Sequence, residues 1–395
     1  MRGLAPVPVP RGGNRPVQVI NSIADLREIA RRRVPKAIFE YVDHGSYDEL
    51  TFRRNRSDFE ALRFRQKVLV DVTAQSMRKD ILGVPASMPL AIAPTGLTGL
   101  VHRDGEILAA QAAEAFGVPF CLSTVSVCSI EDVREATTAP FWFQLYVMKD
   151  RGYTASLIDR AEAAGCPALM LTVDIPVGGL RRRDAKNGLA VPPRLTLRNA
   201  IDIATKPAWA YGVMMGKRKT FGNLAGAMPH TGGMATLSAW IATQFDASVT
   251  WKDYEDIRRR WKGKLIVKGI LDADDARRAF ALGADAIVVS NHGGRQLDGA
   301  PSSIAALPRI VDAVGGAGEV LLDGGIRSGQ DILKAVALGA NAVLTGRAFL
   351  YGLGAKGRAG VTSALEIMSR ELQVSLALTG CNDVRDASPE ILYSE

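Results

Sequence analysis

The residues best suited to chemistry lie together in the segment Ser290–Asp298, which reads SNHGGRQLD and holds one of the chain's four histidines. The segment follows the apolar, β-branched run Ala286–Val289, so we expect it where a buried strand ends and a loop begins. His292 supplies a base, and Arg295 supplies a fixed cation after two glycines that let the backbone turn sharply. A base beside a cation at a strand end can bind an anion and remove its proton.

Polar residues also follow the other apolar runs that the sequence predicts as strands. In a closed parallel barrel the residues just past the strands converge on one mouth. One polar residue there would be unremarkable, but polar residues at all eight ends are hard to explain by packing alone. In chain order they are Pro94, Thr95 and Gly96; Ser123 and Thr124; Gln144 and Tyr146; Thr172 and Asp174; Lys268; Ser290, His292 and Arg295; Asp323, Gly324, Gly325 and Arg327; and Gly346 and Arg347.

The last two ends are typical of a phosphate site. Glycines let backbone N–H groups approach a phosphate closely, and arginines bind it with charge-assisted hydrogen bonds. Taken alone, the motif at Asp323–Arg327 could be a turn with a surface arginine. The second Gly-Arg pair, one βα unit later, favours the phosphate site.

Lys268 follows the apolar residues Leu265–Val267, where a lysine is costly unless it meets an anion or a polar cofactor. We expect its ammonium against an electron-rich ring atom or carbonyl. A pair with a barrel carboxylate and Schiff-base chemistry are the alternatives.

These residues need a scaffold of alternating strands and helices, and the chain provides one. Eight short apolar runs alternate with helical patterns, which predicts a (β/α)8 barrel. An open doubly wound sheet is disfavoured because no GxGxxG motif follows an early strand. The runs are 90–93, 120–122, 141–145, 168–173, 265–267, 286–289, 320–322 and 342–344, and the main helical patterns are 105–116, 130–136, 154–164, 272–282, 304–314 and 330–338.

Two stretches depart from the alternation. A helical N-terminal extension, with candidate helices at 23–33 and 35–43, precedes the barrel. A long inserted segment, 178–250, separates the fourth and fifth strands and interleaves aromatic and basic residues. It is a lid, an oligomer contact or a membrane-surface patch. We interpret 1–16 as a flexible leader and 17–395 as a single domain.

The composition limits the classes of binding partner that the protein is expected to have. The net charge of +8 favours anionic substrates, cofactors or surfaces, whereas scattered basic residues and the lack of a known motif argue against nucleic acid. The four cysteines form no CxxC pair and no metal-ligand spacing, which is typical of reduced thiols in the cytoplasm. No stretch is apolar enough to span a membrane.

The residues match a known family. The chain resembles the FMN-dependent 2-hydroxy-acid dehydrogenases and oxidases from about Val17 to Pro389, through SNHGGRQLD, Trp142–Tyr146, Val267–Gly269 and Leu322–Arg327. Within that family it is most similar to the bacterial quinone-linked L-lactate dehydrogenases, through 122–128 and 346–351. The resemblance implies FMN as cofactor and a 2-hydroxy acid, L-lactate first, as substrate.

The resemblance also assigns roles to the residues at the strand ends. It implies that Pro94, Thr95 and Gly96 line the flavin, that Ser123, Gln144 and Thr172 hydrogen-bond its ring, and that Lys268 stabilises the reduced ring. Ser290 would contact the ring or ribityl chain. Asp323, Gly324, Gly325, Arg327, Gly346 and Arg347 would hold the ribityl chain and phosphate.

For the substrate, the resemblance implies that Arg181 and Arg295 grip the carboxylate with help from Tyr41, and that Tyr146 bonds the hydroxyl or the carboxylate. His292 would be the general base, and Asp174 would stabilise its imidazolium. The run Arg181–Arg183 leaves the choice of arginine open, and spacing from Asp174 favours Arg181. Either hydride transfer or a carbanion route fits the sequence.

Several alternatives stay open. Gly96 resembles dehydrogenases that react slowly with oxygen, and small residues at Val125 and Gly178 favour lactate or larger side chains over glycolate. An oxygen-using oxidase, an (S)-mandelate-type dehydrogenase and a non-redox FMN isomerase are the competing functions. The expected partners are a quinone or cytochrome acceptor and copies of the chain in a homotetramer. The expected location is cytoplasmic, with peripheral contact at the cytoplasmic face of the inner membrane.

Overall fold

A computed structural model describes residues 19–189, 196–216, 218, 220–225 and 243–393. The predicted leader, 1–16, and parts of the inserted segment lie outside the described residues. A hairpin of β1 (Lys79–Ile81) and β2 (Val84–Ala86) precedes eight parallel strands, so the predicted barrel is confirmed. The barrel strands are β3 (Leu90–Ile92), β4 (Cys121–Ser123), β5 (Trp142–Leu145), β6 (Ala168–Thr172), β7 (Lys264–Ile270), β8 (Ala286–Val289), β9 (Glu319–Leu322) and β10 (Ala342–Thr345).

The barrel strands pair in chain order from β4 to β10, and β10 pairs with β3. A parallel bridge between Ile92 and Phe120 closes the remaining gap, where the Ile92 amide donates to the Pro119 carbonyl at 2.8 Å. All eight strands therefore end at one mouth.

Alternate strand residues face opposite sides of the sheet. In β8, Ala286 and Val288 belong to an inner cluster with residues such as Met170 and Leu344. Ile287 and Val289 pack instead in the larger cluster that joins the sheet to the helices. Both faces of each strand are buried, which explains the continuous apolar runs.

Most helices lie close to their predicted positions. Local signals mark their ends, such as the capping box of Ser22 with Asp25 and the left-handed Gly117 after α5. The described helices are α1 (Ile23–Arg33), α2 (Lys36–Asp43), α3 (Leu50–Ala61), α4 (Thr98–Val101), α5 (Gly105–Phe116), α6 (Ile130–Ala136), α7 (Arg151–Ala163), α8 (Arg182–Lys186), α9 (Leu197–Ala204), α10 (Pro207–Met214), α11 (Trp251–Arg260), α12 (Ala273–Ala281), α13 (Ser303–Val314), α14 (Gly329–Ala337) and α15 (Arg347–Thr379).

Some elements differ from expectation. The second helix begins at Lys36, because Pro35 occupies its N-cap position. The sequence patterns do not predict α3, α4, α8–α11, α15 or the β1–β2 hairpin. The pattern of α3 is hard to recognise because five of its residues are charged and only three, Thr51, Asn55 and Phe59, are buried.

The inserted segment contributes α8, α9 and α10 between β6 and β7. Helix α9 buries none of its residues and exposes Leu197 and Ile201. Within the described ranges, no helix is long and apolar enough to cross a membrane.

Candidate active site

A cavity of about 450 Å³ opens at the carboxyl ends of the barrel strands. Fifteen of the twenty predicted site residues line it: Tyr41, Pro94, Thr95, Gly96, Tyr146, Arg181, Lys268, His292, Arg295, Asp323, Gly324, Gly325, Arg327, Gly346 and Arg347. The other five, Ser123, Gln144, Thr172, Asp174 and Ser290, are buried or half-buried close behind this lining.

The cavity lining carries a large excess of positive charge. Lys268 and four arginines line it, whereas Asp323 is the only carboxylate among the described lining residues. Buried charges of one sign are costly unless anions meet them. The cavity is therefore built to bind anionic groups.

His292, the predicted base, is held in a defined orientation. Nδ1 of His292 lies 2.8 Å from Oδ1 of Asp174, which follows β6. Burial opposes ionisation of Asp174, but its interactions with His292 and Lys268 outweigh burial and lower the pKa of Asp174 below its ordinary value of 3.8. An ionised carboxylate only accepts hydrogen bonds, so Nδ1 carries a proton, and in the neutral imidazole Nε2 is then the atom that can accept one.

Two arginines flank one aromatic ring at the cavity. The guanidinium carbons of Arg295 and Arg181 lie 4.7 Å and 5.1 Å from the centre of the Tyr41 ring. Burial, together with the neighbouring charge of Arg181, lowers the pKa of Arg295. Burial also opposes ionisation of Tyr41, but the two arginines outweigh it and lower the pKa of its hydroxyl.

The run of three arginines separates into different environments. Arg181 lines the cavity and lies 3.2 Å from Asp184. Arg182 pairs with Asp48, and Arg183 lies 3.5 Å from Glu49, and both guanidiniums are largely exposed. The placement of Arg181 agrees with the spacing argument.

Lys268 forms a buried ion pair while it lines the cavity. Its Nζ lies 2.9 Å from Oδ2 of Asp323 and donates to Oγ of Ser290 at 2.9 Å. Burial disfavours the ammonium, but Asp323 and Asp174 outweigh burial and raise the pKa of Lys268. The alternative of a pair with a barrel carboxylate is therefore confirmed, and the pair leaves a fixed positive charge at the cavity wall.

The two glycine-rich turns differ in backbone conformation. Gly324 and Gly325 have φ of +92° and +97°, which disfavour residues with a side chain. At Gly346 an added Cβ would meet nothing closer than 3.8 Å, so the backbone there faces open space. Arg347 donates to the carbonyls of Val42, Gly293 and His44, so phosphate binding by Arg347 stays a prediction.

Sequence reasoning missed several lining residues. Phe221 and Phe245 come from the inserted segment, and the Phe245 ring meets that of Tyr146 edge to face at 5.1 Å. No local pattern marks them, because their position depends on distant contacts. Gln296 lay within the motif and could have been found: it donates to the Asp174 and Val177 carbonyls and accepts from the Gly179 amide.

Comparison with known proteins identifies the family. A family model described as FMN-dependent dehydrogenase matches residues 30–394. The chain belongs to this family. Among curated relatives, an L-lactate dehydrogenase of Caulobacter vibrioides strain NA1000 is 49% identical over 95% of this chain and 98% of its own length. An L-lactate dehydrogenase of Pseudomonas aeruginosa strain LESB58 is 47% identical over 95% and 99%.

Solved structures show the same fold. The crystal structure of the monotopic membrane protein (S)-mandelate dehydrogenase has a TM-score of 0.91 and 39% identity, covering 96% of this chain and all of the other. A mandelate oxidase structure with (S)-4-hydroxymandelic acid has a TM-score of 0.82 and 39% identity, covering 95% and 99%.

FMN is the cofactor of this family, and the residues present fit it. Among the described residues, the buried polar atoms at strand ends that have no hydrogen-bond partner within the protein include Nε2 of Gln144, Oγ1 of Thr172 and Oδ1 of Asp323. Buried polar groups normally find partners, so these atoms await a polar ligand. A flavin ring offers acceptors and a donor along one edge, and the FMN phosphate suits the surplus of arginines.

Proposed function

We propose that this FMN-dependent dehydrogenase oxidises an L-2-hydroxy acid, with L-lactate as the preferred substrate, to the 2-oxo acid. The observation that carries the proposal is the lining itself: an oriented base, His292, shares one cavity with Arg181 and Arg295. The curated relatives named L-lactate dehydrogenase support the choice of lactate.

Each residue has a role in this proposal. Arg181 and Arg295 bind the substrate carboxylate beside Tyr41, and Tyr146 donates to the hydroxyl or the carboxylate. Nε2 of His292 accepts the proton that leaves the substrate, and Asp174 stabilises the resulting imidazolium. FMN, when bound, accepts the two electrons. Hydride and carbanion routes both leave the proton on His292.

The cofactor contacts are part of the same proposal. Gln144 and Thr172 donate to the ring edge, and Lys268, held by Asp323 and Ser290, keeps a positive charge beside it. Ser123 donates to Oε1 of Gln144 at 3.0 Å, which fixes the orientation of this amide and leaves Nε2 as the atom that would donate to the ring. Pro94, Thr95 and Gly96 line the flavin face, and Gly324, Gly325, Gly346, Arg327 and Arg347 hold the ribityl chain and phosphate.

A panel of 2-hydroxy acids tests the substrate. The holoenzyme is mixed anaerobically with L-lactate, D-lactate, glycolate or (S)-mandelate, and loss of flavin absorbance is followed. We expect L-lactate to reduce the flavin fastest. Glycolate far ahead of lactate would contradict the proposal.

(S)-Mandelate is the second candidate substrate, because two solved relatives of this fold carry that name. The small residues Val125 and Gly178 line the cavity, which favours a larger side chain. If (S)-mandelate gave the higher kcat/KM in the same panel, it would replace L-lactate.

We propose a quinone as the electron acceptor, with a cytochrome or oxygen as the alternatives. Turnover with a soluble quinone under nitrogen is expected to exceed turnover with oxygen. Peroxide formation that keeps pace with turnover in air would show an oxidase instead.

We also propose peripheral contact with the cytoplasmic face of the inner membrane through the inserted segment. Leu197 and Ile201 on α9 and Tyr211 on α10 are exposed, with Arg198 beside them. Apolar and basic side chains together suit an anionic membrane surface. Leu197→Asp with Ile201→Asp should abolish sedimentation with anionic vesicles, whereas Leu378→Asp, an exposed leucine on α15, should not.

A homotetramer is the proposed assembly. Sedimentation equilibrium of the purified holoenzyme is expected to give four times the mass of one chain. A monomer at micromolar concentration would contradict it.

A further inference from the structure

Asn291 of the SNHGGRQLD motif has no role in the proposed reaction. Asn291 lies between Ser290 and the base His292, and its side chain is buried. It forms a reciprocal amide pair with Asn55 of α3: Nδ2 of Asn55 donates to Oδ1 of Asn291 at 2.9 Å, and Nδ2 of Asn291 donates to Oδ1 of Asn55 at 2.7 Å. The buried side chain of Asn55 thus joins the N-terminal extension to residues 291–294, the base segment.

The segment that Asn291 begins has an unusual backbone. His292, Gly293 and Gly294 have φ of 56°, 65° and 73°, so three consecutive residues lie in the left-handed region. Glycine tolerates this conformation, but for histidine it is costly and persists only when the surroundings impose it. His292 therefore depends on contacts that hold its backbone.

Asn291 supplies part of that constraint. Its Oδ1 accepts from the Gly294 amide at 3.0 Å, which closes the turn around His292, and its Nδ2 also donates to the Pro301 carbonyl at 3.0 Å. On the other side of the base, the His292 amide donates to Oγ of Ser290 at 3.0 Å. The orientation of the Asn291 amide thus decides whether the turn closes.

Asn55 fixes the Asn291 amide in that orientation. The Ser303 amide donates to Oδ1 of Asn55 at 3.4 Å and fixes the Asn55 amide, so only one of the two flipped states of Asn291 satisfies both bonds of the pair. The rest of α3 holds Asn55 in place, since a Cβ added to Gly294 would lie 2.6 Å from Cα of Phe52. The helix and the base segment are in direct backbone contact.

We propose that Asn55 is a positioning residue for the reaction: through Asn291 it holds the left-handed turn that aims His292 into the cavity. The inference rests on the proposed role of His292 as the base. Asn55 itself touches neither substrate nor base.

The neighbouring Arg56 provides a matched control on the same helix. Its guanidinium donates to the Gly325 carbonyl and to Oδ2 of Asp331, so it supports the glycine-rich turn after β9 and not the base segment. Loss of Arg56 should weaken FMN affinity more than it slows flavin reduction in the loaded enzyme.

The test measures anaerobic flavin reduction by L-lactate in FMN-loaded Asn55→Ala, Asn55→Asp and Arg56→Ala, with FMN affinity and melting temperature recorded for each. A misplaced catalytic group typically costs about 10²-fold. We expect Asn55→Ala to slow reduction about 10- to 100-fold. Asn55→Asp lacks the donor to Asn291 and should slow reduction to the same extent, so it serves as the test if the alanine variant does not fold.

A double variant separates positioning from general loosening. If Asn55 acts through His292, Asn55→Ala should slow wild type but change His292→Ala by no more than about twofold, because effects of residues that act as a unit do not add. An equal slowing in both backgrounds, or a wild-type rate in both Asn55 variants, would overturn the inference. Failure of wild type to be reduced by L-lactate would instead overturn the proposed function.

Discussion

At the scale of single residues, charge balance organises the site. Five cationic side chains face one carboxylate in the described lining, and that carboxylate, Asp323, already pairs with Lys268. Arg181 also lies 3.2 Å from Asp184, and the positive charge that remains on the other lining arginines suits anionic groups such as the FMN phosphate and a substrate carboxylate. His292 lies among these cations, and the Asp174 carboxylate, 2.8 Å from its Nδ1, supplies negative charge beside it.

Asp174→Asn should change how stability depends on pH. The pKa of Asp174 is lowered in the folded protein, so its carboxylate contributes stability that is present above its unfolded pKa and is lost as the pH falls through the folded value. Urea unfolding should therefore show a gap between wild type and variant that narrows from about pH 5 to about pH 3. Parallel pH profiles would contradict this reasoning.

Gly96 and Val125 should be coupled. A Cβ added to Gly96 would lie 2.6 Å from Cγ2 of Val125, and a valine side chain is stiff. We expect Gly96→Ala to displace Val125 into the cavity and lower kcat/KM for L-lactate about tenfold. The double variant Gly96→Ala with Val125→Ala should recover most of this lost kcat/KM. If kcat/KM of the double variant is lower still, the contact between residues 96 and 125 is not the cause of the loss.

At the scale of elements, loops from neighbouring strands are tied together by buried side chains. Glu106, 1% exposed, accepts from the Gly99 amide at 3.0 Å and from the Val127 amide at 2.9 Å. It thereby joins the loops after β3 and β4, which carry Gly96 and Val125. Burial raises the pKa of Glu106, so its charge is unfavourable there.

Variants of Glu106 should separate hydrogen bonding from charge. Glu106→Gln keeps an acceptor and removes the buried charge, so its melting temperature at pH 7 should equal or exceed that of wild type. Glu106→Ala leaves two buried amides without a partner, at about 1–3 kcal/mol each. Thermal unfolding of both variants checks this, and a glutamine variant as unstable as the alanine variant would contradict it.

The elements also show where sequence reasoning succeeds and fails. Barrel strands are buried on both faces, so runs such as Ala286–Val289 are continuous and easily recognised. Residues that follow such runs converge at one mouth, which predicted thirteen of the described residues that line the cavity. Helix α3 was missed because what holds it is tertiary: the Asn55 pair and the contact of Phe52 with Gly294.

At the scale of the whole molecule, the barrel provides the strand ends around the cavity, and the N-terminal extension and the inserted segment complete the cavity lining. The N-terminal extension contributes Tyr41 and Val42 to the cavity, and the inserted segment contributes Phe221 and Phe245. Their places follow from contacts between residues far apart in the chain, which spacing in the sequence does not encode. The contribution of these two segments to the cavity is therefore seen only in the folded structure.

The central claim is that His292 is the base of a 2-hydroxy-acid dehydrogenase. The most direct measurement is stopped-flow reduction of the bound flavin by L-lactate under nitrogen, in wild type and in His292→Ala loaded with FMN. A positioned base contributes about 10²–10⁴-fold, so the variant should bind FMN yet be reduced slower by that factor. Bleaching of the variant's flavin at the wild-type rate would contradict the account.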